Sequence, residues 1–440
     1  MTRRIAVIGS GASGSLVATR LLERLGPKDN VWLIGDLESS ARGVAYSTDD
    51  LEHRLNVRAQ NMSAYPDEPD HFVRWLVSIG AGDEELLTQS FMPRPVYGDY
   101  LEWCLRQAIG RRSSGFERVV GKVASMVADG DRVMVGLDDG GGLRATHVVL
   151  ATGHLGPRVP PSLDGIASHP RFVGSPWISW RSADLAEKDV LIVGTGLTMV
   201  DVVMSIRKRN GSGRIFARSR RGLEPHPHRR GPKPPALVLA EDPETIRGLA
   251  REVICRSRTA GDGWRSVIDA CRPHTCNWWA GLSWDERRRF LRRLQPYWDT
   301  HRHRVPDEIY AVLKQMRIEG KLDIAAGQIH TAWPSGDGFE VGLRHGSTQE
   351  TLRVDWVVNC TGPDTNYRDA KVPVLESAVG NGLAQYDPLG MGLLVKKDHS
   401  TDDRSRVFAI GPLCRGSLWE TIAMPEIRVQ AQLIAERCSG

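Results

Sequence analysis

Apolar positions along the chain fall into short unbroken runs and longer periodic stretches. Residues 4–8 (Arg-Ile-Ala-Val-Ile), 31–34 and 190–193 are unbroken runs, which predict strands buried on both faces of a parallel sheet. Between the first two, Leu16, Val17, Leu21, Leu22 and Leu25 recur at helical spacing, so the segment predicts a βαβ unit. Residues 119–127 and 132–137, joined around Asp129-Gly130-Asp131 and followed by a turn at 138–142, predict a small antiparallel meander. It feeds Val148-Val149-Leu150 and ends in Ala151-Thr152-Gly153. The plan then recurs: strands at 190–193 and 215–217, a meander from 339–343 and 352–358, and an ending in Cys360-Thr361-Gly362. A repeated plan predicts an α/β chain with two Rossmann-like dinucleotide-binding modules.

Residues 224–236 hold five prolines, which exclude a regular helix or a central strand and predict an ordered linker or lid. From 241 to 319 the pattern is helical, with Trp284, Phe290, Leu291, Leu294 and Trp298 at helical spacing beside Arg287 to Arg289, Arg292 and Arg293. This predicts an inserted helical subdomain over the cleft between modules. A strand at 407–410, a Gly411-Pro412 turn and a helix at 418–437 return to the first module. The expected division is 1–180 with 353–440, 181–235 with 320–352, and 236–319 as the insertion.

The turns after the first strand of each plan carry the chemistry. Gly9-Ser-Gly11-Ala12-Ser13-Gly14 stands between strand and helix, where glycines permit a tight turn, close approach of a pyrophosphate and close helix packing. An acid that reads a ribose normally closes the second strand; Gly35 holds that place and Asp36, one step on, is the candidate. The second turn, Gly194-Thr-Gly196-Leu-Thr-Met199, has methionine where the third glycine is usual. Where a site for NADH would place an acid after the next strand, the chain has Arg218-Ser219-Arg220-Arg221, whose guanidinium forks suit the 2′-phosphate of NADPH.

Composition narrows the classes. Lys+Arg 58 against Asp+Glu 53 leaves +5, spread along the chain, which implies no nucleic-acid partner. No apolar run reaches bilayer length and glycines interrupt the short run after the basic start, so a cytoplasmic protein is expected. The seven cysteines include no CxxC, which argues against electron transfer through a redox disulfide. Cys271, His274 and Cys276 lack a second ligand pair, and no metal is expected.

Other segments resemble a bacterial family of FAD/NAD(P)-binding proteins: Gly43-Val-Ala-Tyr46, His53-Arg-Leu-Asn56, Asn61-Met-Ser-Ala-Tyr65-Pro, Tyr97-Gly-Asp-Tyr100, Gly194 through Asp201, Tyr297-Trp-Asp-Thr-His301-Arg-His-Arg304, Asn359-Cys-Thr-Gly-Pro363 and Trp419 through Arg428. They span almost the whole chain. The family resembles flavin-dependent monooxygenases of the ornithine and lysine N-hydroxylase layout, with relatives that oxidise an amino-acid nitrogen, aspartate to nitrosuccinate among them. The resemblance implies FAD at Gly9, Gly11, Ala12, Ser13, Gly14, Asp36, Asn56, Thr152, Gly153, Gly411 and Trp419. It implies NADPH at Gly194, Gly196, Arg218, Ser219, Arg220, Thr361 and Gly362.

The chemistry expected is oxygen transfer from a C4a-hydroperoxyflavin to a neutral amine, with the protein supplying placement. Asn56 and Met62 are the flavin-face candidates. His301, Arg302 and His303, with Arg304, are the candidates for substrate carboxylate and amine proton, although consecutive helical residues cannot all face one ligand. The partners expected are O2 and a small amine or amino acid, an acidic one among the possibilities. A flavin oxidoreductase that passes electrons to oxygen without an organic substrate, and a non-catalytic flavin-binding scaffold, are the alternatives. Only the basic cluster at 218–221 counts against the scaffold.

Overall fold

A computed structural model of the chain describes residues 2–36, 41–112, 115–177, 185–229 and 245–440. The first module runs β1 (Arg4–Ile8), β2 (Asn30–Gly35), β3 (Phe116–Val120), β4 (Val123–Asp129), β5 (Arg132–Leu137), β6 (Gly142–Ala145) and β7 (His147–Leu150). The second runs β8 (Phe172–Val173), β9 (Val190–Val193), β10 (Ile215–Ser219), β11 (Leu322–Ala326), β12 (Gln328–Ser335), β13 (Gly338–His345), β14 (Thr348–Val354) and β15 (Trp356–Asn359); β16 (Val407–Ala409) returns to the first. One sheet has the order β16-β7-β1-β2-β3 and the other β8-β15-β9-β10-β11, so the modules match strand for strand. Each adds a three-stranded meander, β4-β5-β6 or β12-β13-β14.

Burial explains the strands. Ile5, Ala6 and Val7 of β1 and Val190, Leu191 and Ile192 of β9 are fully buried, as expected of central parallel strands covered on both faces. The helix Ala12–Arg24 lays Leu16, Val17 and Leu21 into one core with Ile427, Ala431 and Ile434 of the C-terminal helix Met424–Ser439. Helix Leu197–Lys208 does the same for the second sheet through Val200, Val203 and Ile206.

Four expectations are corrected. The run 119–127 is two strands: at Gly121 (φ 150°) the chain leaves the parallel sheet, where β3 pairs with β2, and enters the meander. The run 352–358 divides likewise at Asp355, with β15 parallel to β9. The helix placed at 418–437 begins at Met424 instead, because Trp419 has a left-handed backbone (φ 62°) and Pro425 sits in the first turn. Strand pairing also moves the module boundaries. β8 and β15 belong to the second sheet, not to the segments 1–180 and 353–440.

The insertion contains helices Ile246–Ala260, Trp264–Cys271, Thr275–Gly281, Trp284–Arg293 and Gln295–Arg302. Helix Asp307–Ile318, expected within it, is the crossover helix into β11 and packs Ile309, Leu313 and Met316 on the second core. The proline segment is held at its described end by Val305, whose N donates to His226 O (3.0 Å) and whose O accepts from His228 N (2.8 Å), across the insertion's two ends. Residues 230–244 lie outside the described residues, and with them the rest of the proline segment.

Candidate functional site

The two glycine turns are built alike. A Cβ at Gly9 (φ 110°) would stand 2.2 Å from the carbonyl oxygen of Ala151, and one at Gly194 (φ 115°) 2.3 Å from that of Cys360. Only glycine permits either approach. A Cβ at Gly14 would meet the Gly9 carbonyl at 1.8 Å, so the first helix is drawn tightly onto its strand. Met199, in the matching place of the second turn, is fully buried and fills the wider gap. A Cβ added at Gly153 (φ 71°), Gly196 or Gly362 (φ 84°) would meet no atom within 4 Å, which leaves both turns open on the side a ligand would occupy.

The first turn shows unmet polar groups. The Thr152 hydroxyl is buried without a partner, whereas its counterpart Thr361 donates to Asn359 Oδ1 at 2.8 Å. The Thr421 hydroxyl is likewise buried and unpartnered. Gln430 holds this corner together: its Oε1 accepts from Gly411 N (2.9 Å) and its Nε2 donates to Thr421 O (3.1 Å). Gly411 itself lies against Ser13. These donors beside an open glycine turn fit the phosphates and ring edge of a dinucleotide. Asp36 is exposed just past β2, and its carbonyl accepts from the Ser10 hydroxyl (2.7 Å).

Several candidates are placed elsewhere. Arg218 is buried, and its guanidinium donates to Asp323 Oδ2 (2.7 Å) and to two backbone carbonyls, so it is not the 2′-phosphate reader; Arg220 and Arg221, past the strand end, are exposed. Ser219 is tied to Thr195 (2.9 Å). Met62 is 2 % exposed and packs in the first core with Leu55, Ala59 and Ala64. Asn56 is half-buried, and its carbonyl accepts from His228 Nε2 (2.9 Å), which brings the proline segment onto the first module.

The four consecutive residues after Thr300 point to different partners, the helix ending at Arg302. His301 faces an apolar cavity inside the insertion. Arg302 pairs with Glu420 (3.4 Å), His303 lies 3.8 Å from Asp299, and Arg304 pairs with Asp269. Both arginines thus have a carboxylate partner within the fold, and each keeps a buried Nε without one.

Helix Gln295–Arg302 is therefore a wall with two faces. Leu294, Tyr297, Trp298 and His301 face a half-open cavity of about 450 Å³, lined also by Trp264, Trp278, Trp279, Phe290 and, from the first module's C-terminal segment, Trp419. Trp419 stacks on Trp279 (ring centroids 4.7 Å), with Arg415 over its ring at 4.7 Å. The other face carries Asp299 and Arg302 toward Glu420 and Arg415. In this recess burial pushes the Asp299 carboxyl up to about 6, against the pull of Arg415, and burial together with Arg302 pushes His303 down to about 4. Arg415 also acts on Tyr367, whose hydroxyl donates to Gly153 O (2.8 Å). The recess thus connects the first dinucleotide turn to the cavity wall.

Asp299, Arg415, Glu420 and most of the tryptophans were missed by reasoning from sequence. One signal was present: residues 245–305 contain five (264, 278, 279, 284 and 298) of the chain's 13 tryptophans. Among the described residues there is no group of three or more His, Cys, Asp or Glu placed to hold a metal ion, and no helix long and apolar enough to cross a membrane.

Residues 6–155 match a family model described as FAD-NAD(P)-binding. A search of curated protein sequences gives no match. Among solved structures, the fold is similar to ornithine hydroxylase from Pseudomonas aeruginosa, at 17% identity over 100% of this chain and 99% of that one, with a TM-score of 0.67. It is similar to the Kutzneria ornithine N-hydroxylase, solved with reduced FAD, NADP+ and L-ornithine, at 15% identity over 100% and 99% of the chains, with a TM-score of 0.68. It is also similar to bacillithiol disulfide reductase from Bacillus cereus, at 12% identity over 100% and 99%, with a TM-score of 0.57. These likenesses establish a shared two-module fold.

Proposed function

We propose that the chain is an FAD-dependent, NADPH-consuming monooxygenase that N-oxygenates a small amine or amino acid. The observation that carries this is the third pocket. A chain that only moved electrons from a nicotinamide to oxygen would need two dinucleotide sites, yet here a half-open, aromatic-lined cavity also reaches the first module at Trp419, whose ring Arg415 covers. Its volume lies within the range of small-molecule sites. The solved hydroxylases of the same fold act on ornithine, and a lysine monooxygenase and a cadaverine monooxygenase share the fold as well.

In this reading FAD is held by the turn from Gly9 through Gly11, Ala12 and Ser13 to Gly14, by Thr152 and Gly153, and by Gly411 with Thr421. NADPH is held by Gly194 and Gly196, Thr361 and Gly362, with Arg220 and Arg221 for the 2′-phosphate. The flavin, when bound and reduced, supplies the reaction with O2 and the transfer of one oxygen atom to nitrogen. The overall change is R–NH2 + O2 + NADPH + H+ giving R–NHOH + NADP+ + H2O. The protein's own part is to seat the amine against the tryptophan walls. Such a consumer of NADPH belongs in the cytoplasm.

The cysteines favour this over electron transfer through a redox disulfide, for which the chain has no CxxC. All seven cysteines are unpaired, and five are buried, so no dithiol is poised for exchange. The test is a mass balance on the FAD-loaded enzyme: NADPH consumed, hydroxylamine formed and hydrogen peroxide released, with and without amines. Amine-stimulated NADPH oxidation with nearly matching hydroxylamine is expected. NADPH oxidation that yields peroxide alone with every amine would overturn the proposal.

A further inference from the structure

The cavity's chemistry bears on which amines enter it. Its described lining includes no aspartate or glutamate; the polar members are Ser257, Arg258, Thr275, His226, His301 and the edges of its aromatic rings. A diamine would bring a second ammonium that no carboxylate of the described lining pairs, while Arg258, the one arginine of that lining, is exposed. Arg302 and Arg304, the cations nearest in sequence, are already engaged with Glu420 and Asp269. The walls instead offer large ring faces: Trp264, Trp278, Trp279, Trp298, Trp419 and Phe290. Aromatic side chains of this kind reward a ligand that brings apolar area.

One group in the cavity is set for proton transfer. His301 Nδ1 lies 2.7 Å from the backbone carbonyl of Tyr297, an acceptor only, so Nδ1 carries the hydrogen and Nε2 keeps its lone pair when the ring is neutral. The ring sits in a cluster with His226 (centroids 4.6 Å) and Trp264 (4.8 Å), both cavity residues. Burial, with His301 and Arg265 adding to it, holds His226 down to about 4, so the neighbouring ring stays neutral near pH 7. No carboxylate of the described wall pairs with the ammonium ion. The free amine is the form with a lone pair to accept oxygen.

Resting on the monooxygenase reading, we infer that the substrate is a lipophilic monoamine, its aromatic or long alkyl body lying against the tryptophan walls, and that His301 Nε2 receives the proton the ammonium gives up. The step is R–NH3+ plus neutral His301 giving R–NH2 plus the imidazolium. No bond to carbon changes.

The test uses the FAD-loaded enzyme and titration calorimetry with 2-phenylethylamine, n-octylamine, L-ornithine and L-aspartate. The two lipophilic amines are expected to bind more tightly than either amino acid by at least about tenfold. Equal or tighter binding of ornithine or aspartate would overturn the inference. So would a failure of both lipophilic amines to bind. Val253→Trp, which fills the cavity from helix Ile246–Ala260, is expected to weaken lipophilic-amine binding by about tenfold or more while the circular dichroism and melting temperature show an intact fold. Unchanged binding in that folded variant counts against the cavity.

His301→Gln is expected to lower hydroxylamine formation at neutral pH by about tenfold or more, with recovery toward about pH 10, where the amine is free without help. A loss that does not recover at high pH makes His301 structural and removes its role as proton acceptor. The substrate inference and the monooxygenase reading fail separately. Lipophilic amines that bind but yield only peroxide sink the N-oxygenation reading and leave the cavity's assignment standing. Hydroxylamine formed from ornithine or aspartate, without binding of lipophilic amines, does the reverse.

Discussion

Arg218 and Arg220 stand two residues apart and have different fates. Strand β10 carries Arg218 into a buried position against Asp323 of the neighbouring strand, while Arg220 lies past the strand end in solvent. The double variant Arg220→Ala/Arg221→Ala is therefore expected to raise KM for NADPH about tenfold and leave that for NADH almost unchanged, as steady-state flavin reduction would report. Arg218→Ala is expected to leave the cofactor preference alone and to cost roughly 1 kcal/mol, a modest loss because the Asp323 side chain is 44 % exposed and recovers solvation. Basic residues after the strand were legible in the sequence. Which of them faced the ligand was not, because that depends on Asp323, a hundred residues away.

His399 gives the residue scale a pH signature. It is 4 % exposed and its backbone is left-handed (φ 67°), and burial pushes its imidazole down to about 4. The unfolded chain binds the proton near 6.5, so the folded state loses ground as pH falls between these values. Its contribution to stability is whole above about pH 6.5 and drains away toward pH 4, by up to about 3 kcal/mol at roughly 1.4 kcal/mol per unit. His399→Asn keeps a residue that tolerates the left-handed region and removes the titration. Urea midpoints at pH 7 and pH 4.5 should differ less in the variant than in the parent chain. An equal difference would place the acid sensitivity elsewhere.

At the scale of elements, helix starts fix the insertion. Ser283 caps helix Trp284–Arg293 by accepting from Glu286 N (3.3 Å), and the Glu286 carboxylate accepts from Ile246 N (2.9 Å), the first amide of helix Ile246–Ala260. A single carboxylate thus joins two helices that line the cavity. Ser283→Ala is expected to cost about 1 kcal/mol. Glu286→Ala should cost more, about 1–3 kcal/mol, because it leaves the Ile246 amide without its acceptor, and it should speed proteolytic cleavage within 245–260. Resistance equal to that of the parent chain would show that the two helices hold together without it.

The same elements show how far local pattern reaches. Glycine turns, the doubled βαβ plan and the helical insertion were legible because each is written within some 30 residues. Strand breaks at Gly121 and Asp355 were not, since a strand that changes sheets keeps its local alternation. The cavity was hidden for a related reason: Trp279 Nε1 bonds Gly416 O across 137 residues, and Trp298 Nε1 bonds Glu420 across 122. Spacing within a helix gives its buried face but not the partner of that face.

Across the whole molecule the modules are joined by a buried charge network. Arg94, at the start of helix Arg94–Gly110, pairs with Asp201 of helix Leu197–Lys208 at 2.7 Å, with side chains 16 % and 8 % exposed. Beside it His53 Nε2 lies 3.2 Å from the Asp201 carbonyl and 2.8 Å from Ser205 Oγ, and Asp50 accepts from Ser205 (2.9 Å) and Lys208 (3.0 Å). Burial raises the Asp201 carboxyl's affinity for a proton and Arg94 opposes that, so the pair is held by mutual need more than by net gain. Arg94→Met strands a buried carboxylate and is expected to cost about 3–5 kcal/mol, whereas Arg94→Met/Asp201→Leu removes both charges and should return most of it. The network also ties unfolding of one module to the other. Scanning calorimetry should show one transition for the parent chain, two for Arg94→Met as the modules uncouple, and one again for the double variant. A double variant as unstable as Arg94→Met would mean that Arg94 acts through other contacts, such as its cation–π approach to Trp177 at 5.8 Å, and not through the pair.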